Sequence, residues 1–142
     1  MIELNRNLLL PYTPAQMYAL VADIAQYPAF LPYCQQVAIN AQNGSEVQAS
    51  VVVGYKGLQY RFTTNNSNKP DEQITMQLIN GPFETLNGVW HFKASGQACE
   101  VTLQLQAKFK NKLLNLVLKK KMNSFVDVFV DAFVKRARDL YD

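Results

Sequence analysis

Apolar and polar residues alternate over most of positions 1–110, and this period of two predicts half-buried β-strands. The first strand begins at Ile2, and six more follow Cys34, with turn-forming residues between them. The apolar rows are Ile2, Leu4 and Leu8; Val37 and Ile39; Val47, Ala49, Val51, Val53 and Tyr55; Leu58, Tyr60 and Phe62; Ile74, Met76 and Leu78; Leu86, Gly88, Trp90 and Phe92; and Val101, Leu103, Leu105, Ala107 and Phe109. One apolar and one polar face are typical of an antiparallel sheet that is covered on a single side.

Glycine, asparagine and proline mark the places where the strands turn. Asn43-Gly44 is the strongest hairpin signal, and Lys56-Gly57 and Asn80-Gly81-Pro82 predict two further turns. The segment 65–71 is polar and contains a proline, so we predict a loop there.

Two short helices are predicted after the first strand. Thr13-Pro14-Ala15-Gln16 has the order of a capping box, in which the threonine hydroxyl accepts a hydrogen bond from the glutamine amide. The helix that follows buries Met17, Leu20 and Val21. It ends before Tyr27-Pro28, because the residue preceding a proline resists helical geometry.

A long helix is predicted over 112–141, where apolar residues recur at intervals of three, four or seven. Its stripe comprises Leu114, Leu118, Met122, Phe125, Val126, Phe129, Phe133 and Leu140. At 1.5 Å per residue this helix is about 45 Å long, enough to cover the apolar face of the sheet. The predicted fold class is therefore α+β, with about seven antiparallel strands, two short helices after the first strand and a long carboxyl-terminal helix.

Length and composition fit one domain over residues 1–142. With 49% hydrophobic and 18% charged residues, the chain is neither disordered nor fibrous. Its apolar runs are far shorter than the roughly 20 residues that span a bilayer, and its amino terminus lacks the order of a secretory signal. We expect a cytoplasmic protein, with peripheral contact to the inner membrane as an alternative, and reduced, unreactive thiols at Cys34 and Cys99.

Positive charge is concentrated near the carboxyl end. Residues 110–142 hold eight Lys or Arg and four Asp, whereas residues 1–109 hold six basic and seven acidic residues. The candidate partner surface comprises Lys119, Lys120, Lys121, Lys135, Arg136 and Arg138. Such a strip suits the phosphates of an RNA partner or of an anionic membrane, while a solvated helix face is the simpler interpretation.

The pattern does not bring together the histidine, carboxylate or cysteine side chains that catalysis or metal binding needs. His91, the only histidine, lies between Trp90 and Phe92 and therefore has the outward parity of its strand. No pair of carboxylates falls on the apolar face, and no cysteine or histidine spacing fits a zinc site. We therefore predict a non-enzymatic protein with no catalytic residue, metal or cofactor.

A binding role is the alternative to catalysis, and it would use a ligand cavity between the sheet and the long helix. An apolar gap at that place stays dry until an apolar guest enters it. The predicted walls are Phe62, Trp90 and Phe92 from the sheet, Met122, Phe125, Val126 and Phe129 from the helix, and Phe30, Leu31 and Phe83 from loops at one end. Ordinary core packing is the competing interpretation for each of these residues. Phe30-Leu31-Pro32 is either a mobile lip of the cavity or a rigid turn that closes it.

Three motifs in register cover nearly the whole chain. They are YPAFLPYC at 27–34, Gly81-Pro82-Phe83 with Leu86, Gly88, Trp90 and Phe92, and FKNKL at 109–113. In order and spacing the sequence resembles the coenzyme Q-binding protein and ribosome-association toxin (RatA) family. That family has the helix-grip fold of the START-like, polyketide-cyclase-like superfamily, so the resemblance implies this fold for the chain.

The resemblance also implies two alternative functions. One branch of the family binds ubiquinone, which makes a polyprenyl quinone or another apolar lipid the expected ligand. The other branch binds the large (50S) ribosomal subunit and blocks its association with the small one. The sequence departs from the bacterial pattern at two places. At Tyr33 a small residue is common, and we expect the tyrosine to narrow a cavity entrance. Lys119-Lys120-Lys121 is more basic than the family pattern. Lipid binding is our leading hypothesis, ribosome association the alternative, and a cyclase-type enzyme the third.

Overall fold

A seven-stranded antiparallel sheet forms the body of the computed structural model, which describes all 142 residues. The strands are β1 (Ile2–Leu10), β2 (Cys34–Asn43), β3 (Glu46–Tyr55), β4 (Leu58–Lys69), β5 (Gln73–Asn80), β6 (Phe83–Ser95) and β7 (Ala98–Phe109). Their order in the sheet is β1-β7-β6-β5-β4-β3-β2, so β1 and β2 are the edge strands. The predicted α+β fold class with seven strands is confirmed.

Helices cover one face of the sheet, which we call the inner face. The helices are α1 (Pro14–Ala22), a 3-10 turn (Ile24–Gln26), α2 (Tyr27–Phe30), α3 (Lys112–Lys119) and α4 (Met122–Tyr141). The capping box predicted for α1 is present, with Gln16 N donating to the Thr13 hydroxyl at 3.1 Å. Tyr27-Pro28 begins α2, because proline suits the first turn of a helix, where its missing N–H has no partner. None of the helices is long and apolar enough to cross a membrane.

The hairpin turns follow the glycines. The β3–β4 turn is Lys56-Gly57, as predicted, with φ values of 50° and 80°. The β2–β3 turn is Gly44-Ser45, one residue later than predicted, because Asn43 still pairs with Glu46. Both turns join adjacent antiparallel strands, and the strand pairing then fixes which side chains of β3 and β4 point inward.

Strand β4 is longer than predicted, and the prediction of a loop at 65–71 is wrong. Residues up to Ser67 pair with β3, and residues from Thr63 to Lys69 pair with β5. The outward-facing Asn65 and Ser67 tolerate this geometry because both donate hydrogen bonds to the Glu46 carboxylate, at 2.7 and 2.9 Å. The turn between β4 and β5 is confined to residues 70–72.

The prediction of one unbroken carboxyl-terminal helix is also wrong, because the helix breaks at Lys120-Lys121. The amide of Lys121 donates to the carbonyl of Leu118, a tighter turn than an α-helix makes. Residues 119–121 are three adjacent like charges and offer no apolar side chain to hold that turn on the core. The Asn115 side chain instead fixes α3 at the end of β7 by accepting a hydrogen bond from Phe109 N at 3.1 Å.

Polar contacts tie α4 to the β1 side of the molecule. Arg6 on β1 points inward and forms a 2.7 Å ion pair with Asp127 near the start of α4. At the other end of the helix, the Tyr141 hydroxyl donates to the Gln16 carbonyl at 2.8 Å. Near the start of the helix, the Phe125 ring centroid lies 5.0 Å from that of Tyr55 on β3, so α4 crosses the inner face between β1 and β3.

The inner face divides into two halves that differ in burial. We call the inner face of β1, β7 and β6 the sealed half, since most of its inward side chains are buried; they include Ile2, Leu4, Val101, Leu103, Trp90 and Phe92. We call the inner face of β3, β4 and β5 the open half. Its apolar side chains nearest the β3–β4 turn are only part-buried; they are Val51, Val53, Tyr60, Phe62, Met76 and Leu78.

Candidate functional site

The candidate site is the space between the open half and α4. Its helical wall consists of Met122, Phe125 and Phe129, which are part-buried like the residues that face them from the strands. Phe62, Met76 and Met122 pack against the core cluster yet stay part-buried, so solvent reaches apolar side chains on both walls. Such a space favours an apolar guest, because the gain on leaving water scales with the apolar area that is buried.

Four aromatic rings, which we call the aromatic bridge, join α4 to β3 at the mouth of this space; they are Tyr33, Tyr55, Phe125 and Phe129. The Tyr55 and Phe125 ring centroids lie 5.0 Å apart, and Tyr33 lies 5.3 Å from Tyr55. Tyr33 has a φ of 68°, a left-handed conformation that costs a non-glycine residue about 1–2 kcal/mol. The tyrosine that departs from the family pattern therefore belongs to the bridge, and that it narrows a cavity entrance stays a prediction.

The segment 27–33 closes the side of the space between α4 and β2. The Phe30 ring centroid lies 5.5 Å from that of Phe133, and the Arg136 guanidinium lies 5.2 Å from the Phe30 centroid. The Leu31 amide donates to the Tyr27 carbonyl at 2.8 Å. Of the two interpretations of Phe30-Leu31-Pro32, these contacts favour the rigid turn.

The ten predicted cavity residues fall into two groups. Six of them border the space or its closing segment and are part-buried: Phe30, Leu31, Phe62, Met122, Phe125 and Phe129. The other four are buried in core packing: Phe83, Trp90, Phe92 and Val126. Phe83, for example, stacks on Phe109 with centroids 4.6 Å apart. That any of the ten touches a ligand stays a prediction.

A row of polar side chains on β4 lies at the buried end of the open half and was not predicted. We call Thr64, Asn66 and Asn68 the inner polar row. Thr64 and Asn66 are only 6% and 4% exposed, and the Thr64 hydroxyl donates to the Asn66 side-chain oxygen at 3.0 Å. The side-chain oxygen of Asn68 is buried with no hydrogen-bond partner. Continuing the alternation from Phe62 places all three inward, but their polarity had favoured a loop.

The inner polar row separates two apolar regions of the interior. Four buried apolar residues lie outside the main core cluster, on the β2 side of the row: Ile24, Cys34, Val47 and Ala49. A buried polar atom without a partner costs about 1–3 kcal/mol, so the row weakens the packing around it. Its hydroxyl and amide groups can instead hydrogen-bond the polar end of a guest.

An open depression of about 610 Å³ lies outside the aromatic bridge and is lined by Tyr33, Gln35, Gly54, Tyr55, Lys56, Gly57, Leu58 and Gln59. The Gln59 side chain donates to that of Gln35 at 2.8 Å. Tyr33 and Tyr55 belong both to the depression and to the bridge. The depression therefore borders the aromatic bridge.

Burial favours the neutral forms of three titratable side chains, Cys34, Cys99 and Tyr27. Burial raises the pKa of the Cys34 and Cys99 thiols. Burial likewise raises the pKa of Tyr27, whose hydroxyl donates to the Val21 carbonyl. His91 is exposed on the outer face of β6, away from the space. The chemistry available to a guest is therefore hydrogen bonding and apolar contact.

The predicted basic surface forms two groups instead of one strip. Lys119, Lys120 and Lys121 lie at the α3–α4 break, whereas Lys135, Arg136 and Arg138 lie in the last turns of α4. About 21 Å of helix separates the groups, at 1.5 Å per residue. None of the six forms an ion pair within the protein. A role for either group in binding phosphates stays a prediction.

Known proteins of similar sequence agree with this architecture. Residues 10–134 match the family model described as polyketide cyclase / dehydrase and lipid transport. The protein named ribosome association toxin RatA from Pseudomonas aeruginosa is 39% identical over 140 residues, which cover 98% of this chain and 97% of that protein. The mitochondrial coenzyme Q-binding protein COQ10 homolog B from Xenopus laevis is 27% identical over 145 residues, which cover 99% of this chain and 59% of that protein.

A solved structure gives the same fold. The Zhui aromatase/cyclase from Streptomyces sp. R1128 superposes with a TM-score of 0.86 at 12% identity, covering 96% of this chain and 93% of that chain. At this identity the likeness shows the fold alone. The family resemblance drawn from the three motifs is confirmed by the matched family model and by the full-length RatA relative. The chain thus belongs to the polyketide cyclase / dehydrase and lipid transport family, with a START-like helix-grip fold.

Proposed function

We propose that this protein is a non-enzymatic binding protein that holds an apolar ligand with one polar end, such as ubiquinone or another polyprenyl lipid, beside the open half. The supporting observation is that Phe62 and Met76 point inward from the sheet and Phe129 lies on the covering helix, yet all three stay part-exposed. A protein that needed only a stable core would fill this space, because protein interiors pack as densely as organic crystals.

The two ends of the space suit the two parts of such a ligand. Each isoprene unit of a tail gains several times the roughly 0.8 kcal/mol of one buried methylene, so the apolar walls supply affinity. The inner polar row supplies orientation at the buried end. The unpartnered oxygen of Asn68 can accept a hydrogen bond from the hydroxyl of a polyprenol, whereas the carbonyl of a quinone can only accept one, from the side-chain amide of Asn66 or Asn68.

Lipid extraction tests this proposal. Organic extraction of the purified protein, followed by mass spectrometry, should recover a polyprenyl lipid in near-stoichiometric amount. Leu78→Trp, which fills the open half, should lower the yield, whereas Leu9→Trp, on the exposed outer face of β1, should leave it unchanged. A lipid-free extract together with no binding of added ubiquinone would contradict the proposal.

A second candidate function is inhibition of ribosomal subunit association through binding to the large (50S) subunit. It is supported by the RatA relative, which is 39% identical over nearly the full length, and by the unpaired lysines at 119–121. Lysines without protein partners are free to neutralise RNA phosphates, a salt-dependent attraction. The two candidate functions use different surfaces and can be separated by variants.

Sucrose-gradient profiles of cells that overproduce the protein test this second function. Joined ribosomes should decrease, and K119Q/K120Q/K121Q should restore them. Leu78→Trp should keep the wild-type effect, because it alters the interior and not the basic surface. An unchanged profile with the wild-type protein would contradict this candidate.

A further inference from the structure

Helix α3 presents an apolar face that no other part of the chain covers. Leu113, Leu116 and Val117 share one side of the helix and are 71%, 65% and 49% exposed. Leu114 and Leu118 point the other way and pack against the core. The apolar surface of α3 is therefore wider than the core requires, and contiguous exposed apolar surface marks an interaction site.

Positive charge surrounds this apolar face. Residues 101–126 contain six lysines and no acidic residue. One of them, Lys108, pairs with Glu84 at 3.3 Å. The other five, Lys110, Lys112, Lys119, Lys120 and Lys121, are exposed and form no ion pair. The combination of lysines and exposed leucines on one short helix is typical of a segment that lies in a membrane interface.

The mouth of the inner space lies at the same end of the fold. Strand β7 ends at Phe109, opposite Phe83 at the start of β6, and the β3–β4 turn belongs to this end as well. Further exposed apolar side chains there are Leu58 and Ile79, at 58% and 46% exposure. The α3 face and the aromatic bridge are therefore neighbours on one end of the molecule.

We propose that this end of the protein, with α3 at its centre, docks on the surface of an anionic phospholipid bilayer. Leu113, Leu116 and Val117 enter the boundary between headgroups and acyl chains, while the lysines contact lipid phosphates. The proposal goes beyond ligand binding and does not depend on it. If both hold, the mouth rests on the bilayer, and an apolar ligand passes between membrane and protein without crossing water.

Charge and apolarity together favour a bilayer over RNA. Phosphates of RNA and phosphates of lipids can both pair with the lysines. An RNA helix, however, presents hydroxyls and phosphates to the three apolar side chains. A bilayer offers anionic groups directly above hydrocarbon and matches both features of the helix.

Vesicle flotation tests the proposal with the full chain. The wild-type protein should bind phosphatidylcholine vesicles that contain about 30% phosphatidylglycerol, and should bind pure phosphatidylcholine vesicles far less, because basic residues are attracted to anionic lipids. K119Q/K120Q/K121Q should weaken binding about 100-fold, since each lysine near the surface contributes about five-fold. L113Q/L116Q/V117Q should weaken it about 10-fold or more, at any salt concentration.

Matched controls come from the opposite end of the molecule. K93Q removes an exposed charge near the end of β6 that forms no ion pair, and L140Q removes an exposed leucine at the end of α4; both should bind as the wild type does. Circular dichroism establishes that every variant is folded. Equal binding of wild type to neutral and anionic vesicles, or equal loss in the controls, would overturn the proposal. The proposal would also be overturned if the wild-type protein did not bind vesicles, and if L113Q/L116Q/V117Q instead reduced RNA binding or self-association.

Discussion

The sealed half and the open half share one sheet and one pattern of alternation, yet they are covered differently. In the sealed half Trp90 and Phe133 meet edge to face with centroids 5.3 Å apart, and both are buried. In the open half Phe62 and Met76 stay part-exposed although they point inward. The buried side chains of α4, Val126, Val130 and Phe133, belong to the core cluster that contains Trp90 and Phe92, whereas Phe125 and Phe129 stay part-buried on the side of the open half.

This difference shows that alternation decides which face a side chain occupies but not how closely that face is covered. Coverage depends on where a helix is anchored, here by Arg6 and Tyr141. A binding space can therefore form without any change in the apolar pattern of the strands.

The largest expected effect compares two phenylalanines one turn apart on α4. Phe133→Ala should lower the free energy of unfolding by about 3–5 kcal/mol, because Phe133 is buried against Trp90 and Phe30. Phe129→Ala should cost only about 1–2 kcal/mol, because Phe129 borders the space. Urea unfolding measures both. Equal losses would mean that the two halves are packed alike.

A smaller effect is expected at the inner polar row. Thr64→Val combined with Asn66→Leu should leave the free energy of unfolding within about 1 kcal/mol of the wild-type value, because both partners of the hydrogen bond become apolar. Ligand affinity should fall about 10-fold, the equivalent of one or two lost hydrogen bonds. Quenching of Trp90 fluorescence by a short-chain ubiquinone measures the affinity. Thr63→Val, whose buried hydroxyl lies 2.7 Å from that of Ser50, is the control and should bind normally.

The Arg6–Asp127 ion pair, which ties α4 to β1, should contribute less to the free energy of unfolding. Arg6 and Asp127 are partly exposed, so a double-mutant cycle with Arg6→Gln and Asp127→Asn should give a coupling of about 0.5–1 kcal/mol. Hydrogen exchange at β1 should accelerate in each single variant. A coupling near zero would indicate that apolar packing alone sets the lateral position of the helix.

The smallest expected difference concerns the two thiols. Burial raises the pKa of both, so each carries less thiolate at pH 8 than an ordinary cysteine, and alkylation should be slow and should accelerate as the pH rises. Cys34 lies beside the segment that closes the space, whereas Cys99 is fully buried in the sealed half. Peptide mass spectrometry after iodoacetamide treatment should show Cys34 reacting first. Faster labelling of Cys99 would contradict the assignment of the halves.

Much of the fold could be predicted because the apolar–polar alternation and the capping residues of the sequence agree with the buried and exposed positions in the structure. The alternation of β7 and the Thr13 capping box each predict an element that the structure contains. Family motifs extended this to the helix-grip architecture.

The inner polar row and the helix break could not be predicted, because each depends on surroundings distant in the sequence. Asn66 has the composition of a loop residue and faces inward only because β3 and β5 pair on either side of it. The stripe of Leu118 and Met122 continues across the break, so the three lysines at 119–121 do not by themselves predict where the helix ends, and the packing of α3 on β7 contributes to it. Exposure of Phe62 and burial of Trp90 differ because of the position of α4, which no pattern in either strand encodes.

Methyl NMR of methionine-labelled protein tests the central claim most directly. Met76 and Met122 line the space of the open half, and Met17 is 2% exposed in the core. Titration with a short-chain ubiquinone should shift the Met76 and Met122 methyl signals in a saturable manner and leave that of Met17 in place. Unchanged signals at saturating ligand, or shifts confined to the exposed Met1, would contradict the presence of a binding space in the open half.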